Sequence, residues 1–233
     1  MRVRDAEIRE LLDADTLDAE ALSRNLRDIR FINAALGWRA YTVRAVARQV
    51  RAAGMRSFAL LDVASGSADM PLAIARWAAR AGIAARITAT DISVQIVSIA
   101  REQASGVAGM SVERQDALHL PYAPASFDFA LCTLALHHFE PEQAVALLRE
   151  MARVGRRVLV FDVERSRLAY LGAFALTHVT PMNYMTRHDA PASVRRAYSA
   201  AELRDFAGRA GLRDARVRVA FPFRLALDAR GGA

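Results

Sequence analysis

An α/β fold with a parallel sheet covered by helices on both faces is predicted from three observations. Between residues 58 and 162, short apolar runs alternate with helical patterns, the order that places consecutive strands side by side in a parallel sheet. The segment ALLDVASGSADMPLAIAR, residues 59–76, passes from an apolar strand through a small-residue turn into a helix N-terminus. The chain has 233 residues, 53% of them hydrophobic, enough to bury one substantial core.

The elements follow in order. Residues 5–54 read as helices: Ile8, Leu11 and Leu12, then Leu22, Leu26, Ile29, Ile32, Ala35 and Leu36, recur at helical spacing. Asp15 or Thr16 is placed to cap the second of these and Gly37 to end it; a third runs from Trp38 to about Ala53 and stops at Gly54. Strands are predicted at 58–63, 86–90, 110–114, 127–133 and 157–162, with helices at 71–81, 94–103 and 141–154 between them. The alternation breaks after Asp162. Residues 165–197 read as an insertion, a helix over 168–179 and then a polar loop, TPMNYMTRHDAPASVRRAY. Ser199 caps a helix over 201–210 that Gly211 ends. Strands at 215–221 and 223–227 close the chain as a tight hairpin or one bent ribbon. The division expected is a helical cap, 1–54, and a main domain, 55–233, with a lid at about 165–197.

The formal charge of +7 invites a nucleic-acid reading. Every basic side chain apart from histidine is Arg, however, and the arginines are interspersed with Asp and Glu, as in 24–30 and 204–218. A dispersed, solvated surface is the expectation, with no nucleic-acid partner. The single cysteine, Cys132, lies in an apolar run and reads as a buried small hydrophobe. No cysteine metal site is expected, and no metal. The first residues, MRVRDAEIRELLD, lack an apolar signal core, and the apolar stretch 168–176 is shorter than the roughly 20 residues that span a bilayer. A cytoplasmic protein without membrane association is the expectation.

The residues with chemistry cluster where strands end. A sharp turn into a helix presents free backbone N–H groups and a positive dipole end, and the small residues Ala64, Ser65, Gly66, Ser67 and Ala68 let a ligand approach the backbone. Asp62 adds a carboxylate there, or simply caps the turn. Asp91, ending the second strand in TATDIS, can accept both hydroxyls of a ribose, or cap the helix over 94–103. Asp116, after the third strand in ERQDALHLPY, can accept from an exocyclic amine, or start a surface turn. His137 and His138 end the apolar run FDFALCTLALHHF.

Taken together and in this order, LLDVASGSAD, TATDIS, QDA, FDFALCTLALHHF, LLREMARV and RRVLVFDV resemble the class I S-adenosylmethionine-dependent methyltransferases over about residues 56–228. The closest likeness is to the small-molecule methyltransferases, the ubiquinone/menaquinone methyltransferases among them. The resemblance implies a Rossmann-like fold with a seven-stranded, mostly parallel sheet. It also implies S-adenosylmethionine as cofactor, S-adenosylhomocysteine as product and a small-molecule substrate. Asp62, Ala64, Ser65 and Gly66 would hold the methionine end, Asp91 the ribose, Ile92, Asp116 and Ala117 the adenine, and Thr133 or Leu134 would lie near the sulfonium. The loop departs from the family pattern D-x-G-x-G-x-G: Ala64 and Ala68 stand at its first and third glycines. An added methyl is tolerable at negative φ and costly at positive φ. A non-catalytic cofactor-binding scaffold is therefore one alternative. A nicotinamide dehydrogenase, which would need G-x-G-x-x-G, is another.

Substrate recognition in this fold falls to the N-terminal helices and the insertion. Phe31, Trp38 and Tyr170 are the expected aromatic lining, and Tyr184 and Arg195 the polar contacts from the loop. Histidine titrates in the right range for a base, and His138, His137 and His188 (beside Arg187 and Asp189) are the candidates. Absence of D/N-P-P-Y/F after the fourth strand argues against exocyclic DNA amines as acceptors. Oxygen methylation of an aromatic or polyketide-like biosynthetic product is the leading expectation, with carbon or nitrogen methylation as the alternative, in a monomer or homodimer.

Overall fold

The computed structural model describes residues 3–14 and 16–231. Its sheet comprises β1 (Ser57–Val63), β2 (Ala84–Asp91), β3 (Met110–Arg114), β4 (Phe127–Thr133), β5 (Gly155–Val163), β6 (Arg213–Ala220) and β7 (Arg224–Arg230), in the order β3-β2-β1-β4-β5-β7-β6. The first five strands pair in parallel, and β7 runs antiparallel to both β5 and β6. The last two strands are thus a hairpin. Each central strand is an apolar run because both faces are covered: Leu60, Leu131 and Val160 are fully buried. Burial of each such side chain contributes about 2 kcal/mol.

The helices are α1 (Ala19–Ala35), α2 (Trp38–Ala52), α3 (Asp69–Arg80), α4 (Val94–Ala104), α5 (Pro141–Val154), α6 (Arg167–Val179), α7 (Tyr184–Arg196) and α8 (Ala200–Arg209). On one face, Val46 and Val50 of α2 and Ile74 and Ala78 of α3 pack on Leu60, Ile87 and Leu131. On the other, Leu147, Leu148 and Met151 of α5 and Leu203 and Phe206 of α8 pack on Leu61, Ala130 and Val158. Ser93 caps α4, and Ser199 with Glu202 forms a reciprocal capping box on α8. α1 is capped by Asp18. Thr16 is not its cap, and Asp15 lies outside the described residues. Cys132 is buried. Among the described residues, no helix is long and apolar enough to cross a membrane.

Two predicted elements differ. The apolar spacing at Ile8, Leu11 and Leu12 predicts a helix, but only a single 3-10 turn forms, Leu11–Asp13. The backbone N–H groups of Leu11 and Leu12 donate to the carboxylate of Asp189 at 2.7 and 3.1 Å, so tertiary contacts replace a helical ladder. The polar segment predicted as a loop is instead the helix α7, opened by Asn183, whose side chain accepts from Met185 N–H, with Pro191 inside it. Its buried face is mixed: Thr186, Asp189 and Arg196 are buried among Met185, Ala192 and Val194. The polar positions interrupt the apolar ones, so apolar periodicity is weak along it. α1, α6, α7 and the 3-10 turn together roof the carboxyl ends of β1, β2, β4 and β5.

Candidate active site

Strand order reverses between β1 and β4, with Asp62 opposite Ala89 on one side and Leu131 on the other. Ligands of open α/β sheets bind in the crevice at such a point. A cavity of about 890 Å³ lies there, lined by Asp62, Ala64, Ser65, Gly66, Asp91, Ile92, Thr133, Leu134, His137 and His138.

One end of the cavity is the turn after β1. Asp62 is buried; one carboxylate oxygen accepts from the Ser65 hydroxyl at 2.6 Å, and the other, Oδ1, has no hydrogen-bond partner among the described residues. Burial, with Asp69 and Asp91 nearby, pushes its pKa up to about 7. The N-terminus of α3 has no side-chain cap. Asp91 accepts from Gly66 N–H and Ser93 N–H, both at 3.0 Å, and so ties the turn to the end of β2. Ser93, not Asp91, caps α4. Burial raises the Asp91 pKa as well. Ala64 and Ala68 have φ of 53° and 61°, beside Gly66 at 54°. Both alanines thus sit in the left-handed region where glycine is cheaper.

The opposite end is a polar corner. Asp162, ending β5, accepts from His137 N–H at 3.1 Å and from His137 Nδ1 at 2.8 Å. Asp13 accepts from His138 Nδ1 at 2.7 Å and from Arg196 Nη1 at 2.6 Å. Glu10 lies between the two imidazoles and accepts from the Ser193 hydroxyl at 2.9 Å. Burial alone would lower the His138 pKa, but Glu10 and Asp13 outweigh it and raise it to about 9. Leu26, Ile29 and Ile32 of α1, Trp38, and Ala173 and Leu176 of α6 supply an apolar wall between the two ends.

Several predicted residues lie elsewhere. Asp116 accepts from Leu118 N–H and from His119 Nδ1, both at 2.9 Å, in a turn after β3; neither it nor Ala117 lines the cavity. Phe31 is exposed on the outer side of α1, and Tyr170 stacks on Phe174 rather than lining the cavity. Tyr184 belongs to a separate depression of about 610 Å³ with Arg24 and Arg27. Arg195 pairs with Asp5 at the surface at 2.5 Å. His188 is exposed and pairs with Asp189 at 2.8 Å, outside the cavity lining. Among the predicted substrate residues, the cavity includes Trp38. Sequence reasoning missed Glu10, Asp13 and Asp162. Asp162 carried a signal, an acid ending an apolar strand as Asp62 and Asp91 do; Glu10 and Asp13 carried none.

The residues at the turn fit an adenosyl cofactor. Among the described residues, Asp62 Oδ1 and Thr133 Oγ1 are buried at the cavity without hydrogen-bond partners, and the helix N-terminus beside them is open. A buried polar atom of that kind needs a partner, which a polar ligand supplies.

Sheet order, antiparallel β7 and the acids ending β1 and β2 define the Rossmann-like class I methyltransferase fold. Residues 60–157 match the family model described as "Methyltransferase domain". The chain is a class I methyltransferase-fold protein distantly like the ubiquinone/menaquinone methyltransferases. It is 31% identical over 151 residues to a demethylmenaquinone methyltransferase of Deinococcus radiodurans, covering 62% of this chain and 58% of that one. To a demethylmenaquinone methyltransferase of Thermobifida fusca it is 28% identical over 165 residues, covering 66% and 65%. The chain thus spans less than two thirds of the length of these relatives. Among solved structures, a SAM-dependent methyltransferase from Aquifex aeolicus aligns with a TM-score of 0.64 at 15% identity, covering 92% of this chain and 98% of that one. That likeness speaks for the fold alone.

Proposed function

We propose that this protein transfers a methyl group from S-adenosylmethionine to a small molecule, at an oxygen of an aromatic or polyketide-like acceptor. One observation carries the reading: a single cavity joins the open turn of Asp62 and Asp91 to an acid–histidine corner across an apolar wall. The bound cofactor supplies an activated methyl on a sulfonium. The chain supplies position: Asp62 and the turn around Ser65 and Gly66 hold the methionine end, Asp91 the ribose, and Ile92 packs on the base. Thr133 lies near the sulfonium. The wall of Leu26, Ile29, Ile32 and Leu176 suits an apolar acceptor and excludes water from the path of transfer. Placing the acceptor oxygen about 3–3.5 Å from the methyl, in line, supplies much of the acceleration. At the far end, His137 and His138 receive the acceptor hydroxyl, and the carboxylates of Asp162 and Asp13 orient them. His188 has no such role. Carbon methylation is the second reading, favoured by relatives named as C-methyltransferases of ubiquinone and menaquinone biosynthesis.

Calorimetry with S-adenosylmethionine, S-adenosylhomocysteine and NAD tests the reading. The first two are expected to bind and NAD is not. Asp91→Ala is expected to weaken binding roughly tenfold or more, about 1.4 kcal/mol. Absence of binding at millimolar S-adenosylmethionine, or binding of NAD alone, overturns it.

A further inference from the structure

The acid–histidine corner has a gap of unusual chemistry. His137 and His138 each turn Nδ1 to a carboxylate, at 2.8 and 2.7 Å, which leaves each Nε2 facing Glu10. The separations are 3.6 Å from His137 Nε2 to Glu10 Oε1 and 3.8 Å from His138 Nε2 to Glu10 Oε2. Both exceed hydrogen-bond range. The Glu10 side chain is 3% exposed and its Oε1 has no hydrogen-bond partner among the described residues, although it is buried beside the cavity. One ligand atom from each of the three residues lies within 4.8 Å of the others. Glu10 Oε2 already accepts from the Ser193 hydroxyl, which leaves Oε1 as the free carboxylate donor, and each imidazole offers its Nε2 electron pair once a metal ion displaces the second ring proton.

We infer that Glu10, His137 and His138 form a binding site for one divalent transition-metal ion, zinc by ligand type. Two imidazoles and a carboxylate suit such ions, whereas magnesium prefers all-oxygen surroundings. Asp162 and Asp13 take the part that carboxylates play behind metal-bound histidines, fixing tautomer and ring orientation. Arg196, fully buried, holds Asp13 at 2.6 Å and the His138 carbonyl at 2.8 Å, so the ligand set is braced before an ion arrives. Three protein ligands leave a position open to the cavity, the pattern of a site that takes up water or substrate. There the ion would polarise an acceptor hydroxyl and favour loss of its proton to solvent. That consequence rests on the methyl-transfer reading; the binding of the ion does not.

The test uses the full chain without a histidine tag, stripped by a chelator and without any cofactor. Titration with zinc chloride is expected to give about one tight ion per chain, and magnesium chloride none. Cobalt(II) in its place is expected to give the strong visible absorption of a low-coordinate site. Glu10→Gln keeps the side chain's size and is expected to weaken zinc binding roughly tenfold or more. Asp13→Asn, which is not a ligand, is expected to weaken it by about 10–100-fold. His178→Ala, on the exposed face of α6, is expected to leave it unchanged. Thermal melting of each variant reports whether it folds. Less than stoichiometric zinc on the parent chain, or zinc affinity in folded Glu10→Gln and Asp13→Asn unchanged from the parent, overturns the inference. Calorimetry with S-adenosylmethionine fails or succeeds separately.

Discussion

Asp62 should make cofactor affinity a function of pH. In an unfolded chain its carboxyl titrates near the ordinary value of about 3.9. In the folded chain burial, with the neighbouring carboxylates of Asp69 and Asp91, raises it to about 7. Between those values the folded state holds a proton that the unfolded state has released. Stability therefore falls as pH rises through this window, by about 1.4 kcal/mol per pH unit and at most about 4 kcal/mol in all. A cation placed against Oδ1 reverses the preference, because it favours the ionised carboxylate. The methionine ammonium of S-adenosylmethionine is such a cation. At pH 6 about 0.9 proton should leave Asp62 on binding, and affinity should rise by up to roughly tenfold per pH unit until it levels off near pH 7. Calorimetry from about pH 5.5 to 8.5, in buffers of different ionisation enthalpy, reads both quantities. Asp62→Asn should flatten the profile, since the amide has no proton to give up. The ligand's own titrating groups act equally on both proteins and cancel in the comparison. A parent profile no steeper than that of Asp62→Asn would refute the reasoning.

The remaining expectations concern the turn and the histidines. Ala64→Gly should stabilise the fold by about 1 kcal/mol, because it relieves a left-handed alanine at φ 53°. Ala68→Gly should be near neutral: the same relief is offset by loss of a fully buried methyl packed on Ala89 and Ala100, about 0.8 kcal/mol. Urea unfolding of the two variants measures both, and equal effects would contradict the packing argument. His138→Ala should lower turnover far more than cofactor affinity, whereas His188→Ala, outside the cavity, should leave turnover within about twofold. Steady-state kinetics beside calorimetry separates these outcomes.

What the sequence discloses depends on how local the signal is. Buried parallel strands are apolar runs by necessity, so Phe58–Val63 and Phe127–Thr133 could be read almost to the residue. The acids that end β1 and β2 could be read too, since a charged residue after such a run stands at the sheet's carboxyl edge. The cavity wall follows helical phase rather than residue type. Phe31 is aromatic but lies on the outer side of α1; Leu26, Ile29, Ile32 and Leu36, at spacings of three and four, face the cavity. Helical phase likewise puts Ala169, Gly172, Ala173 and Leu176 of α6, not Tyr170, at the cavity. Small residues line that helix's inner face, which leaves room for an acceptor, so the absence of bulk was the signal. The polar corner follows a different logic. Glu10, Asp13, His137, His138, Asp162 and Arg196 come from four distant stretches, and no spacing rule connects them. Each is an ordinary surface residue type, and only burial converts it into a group whose partners must be specified. Burial within α7 does the same to Thr186 and Asp189. The hydrophobic pattern therefore encodes where a cavity forms, while the chemistry at its far end is encoded in long-range pairing that the fold must complete first.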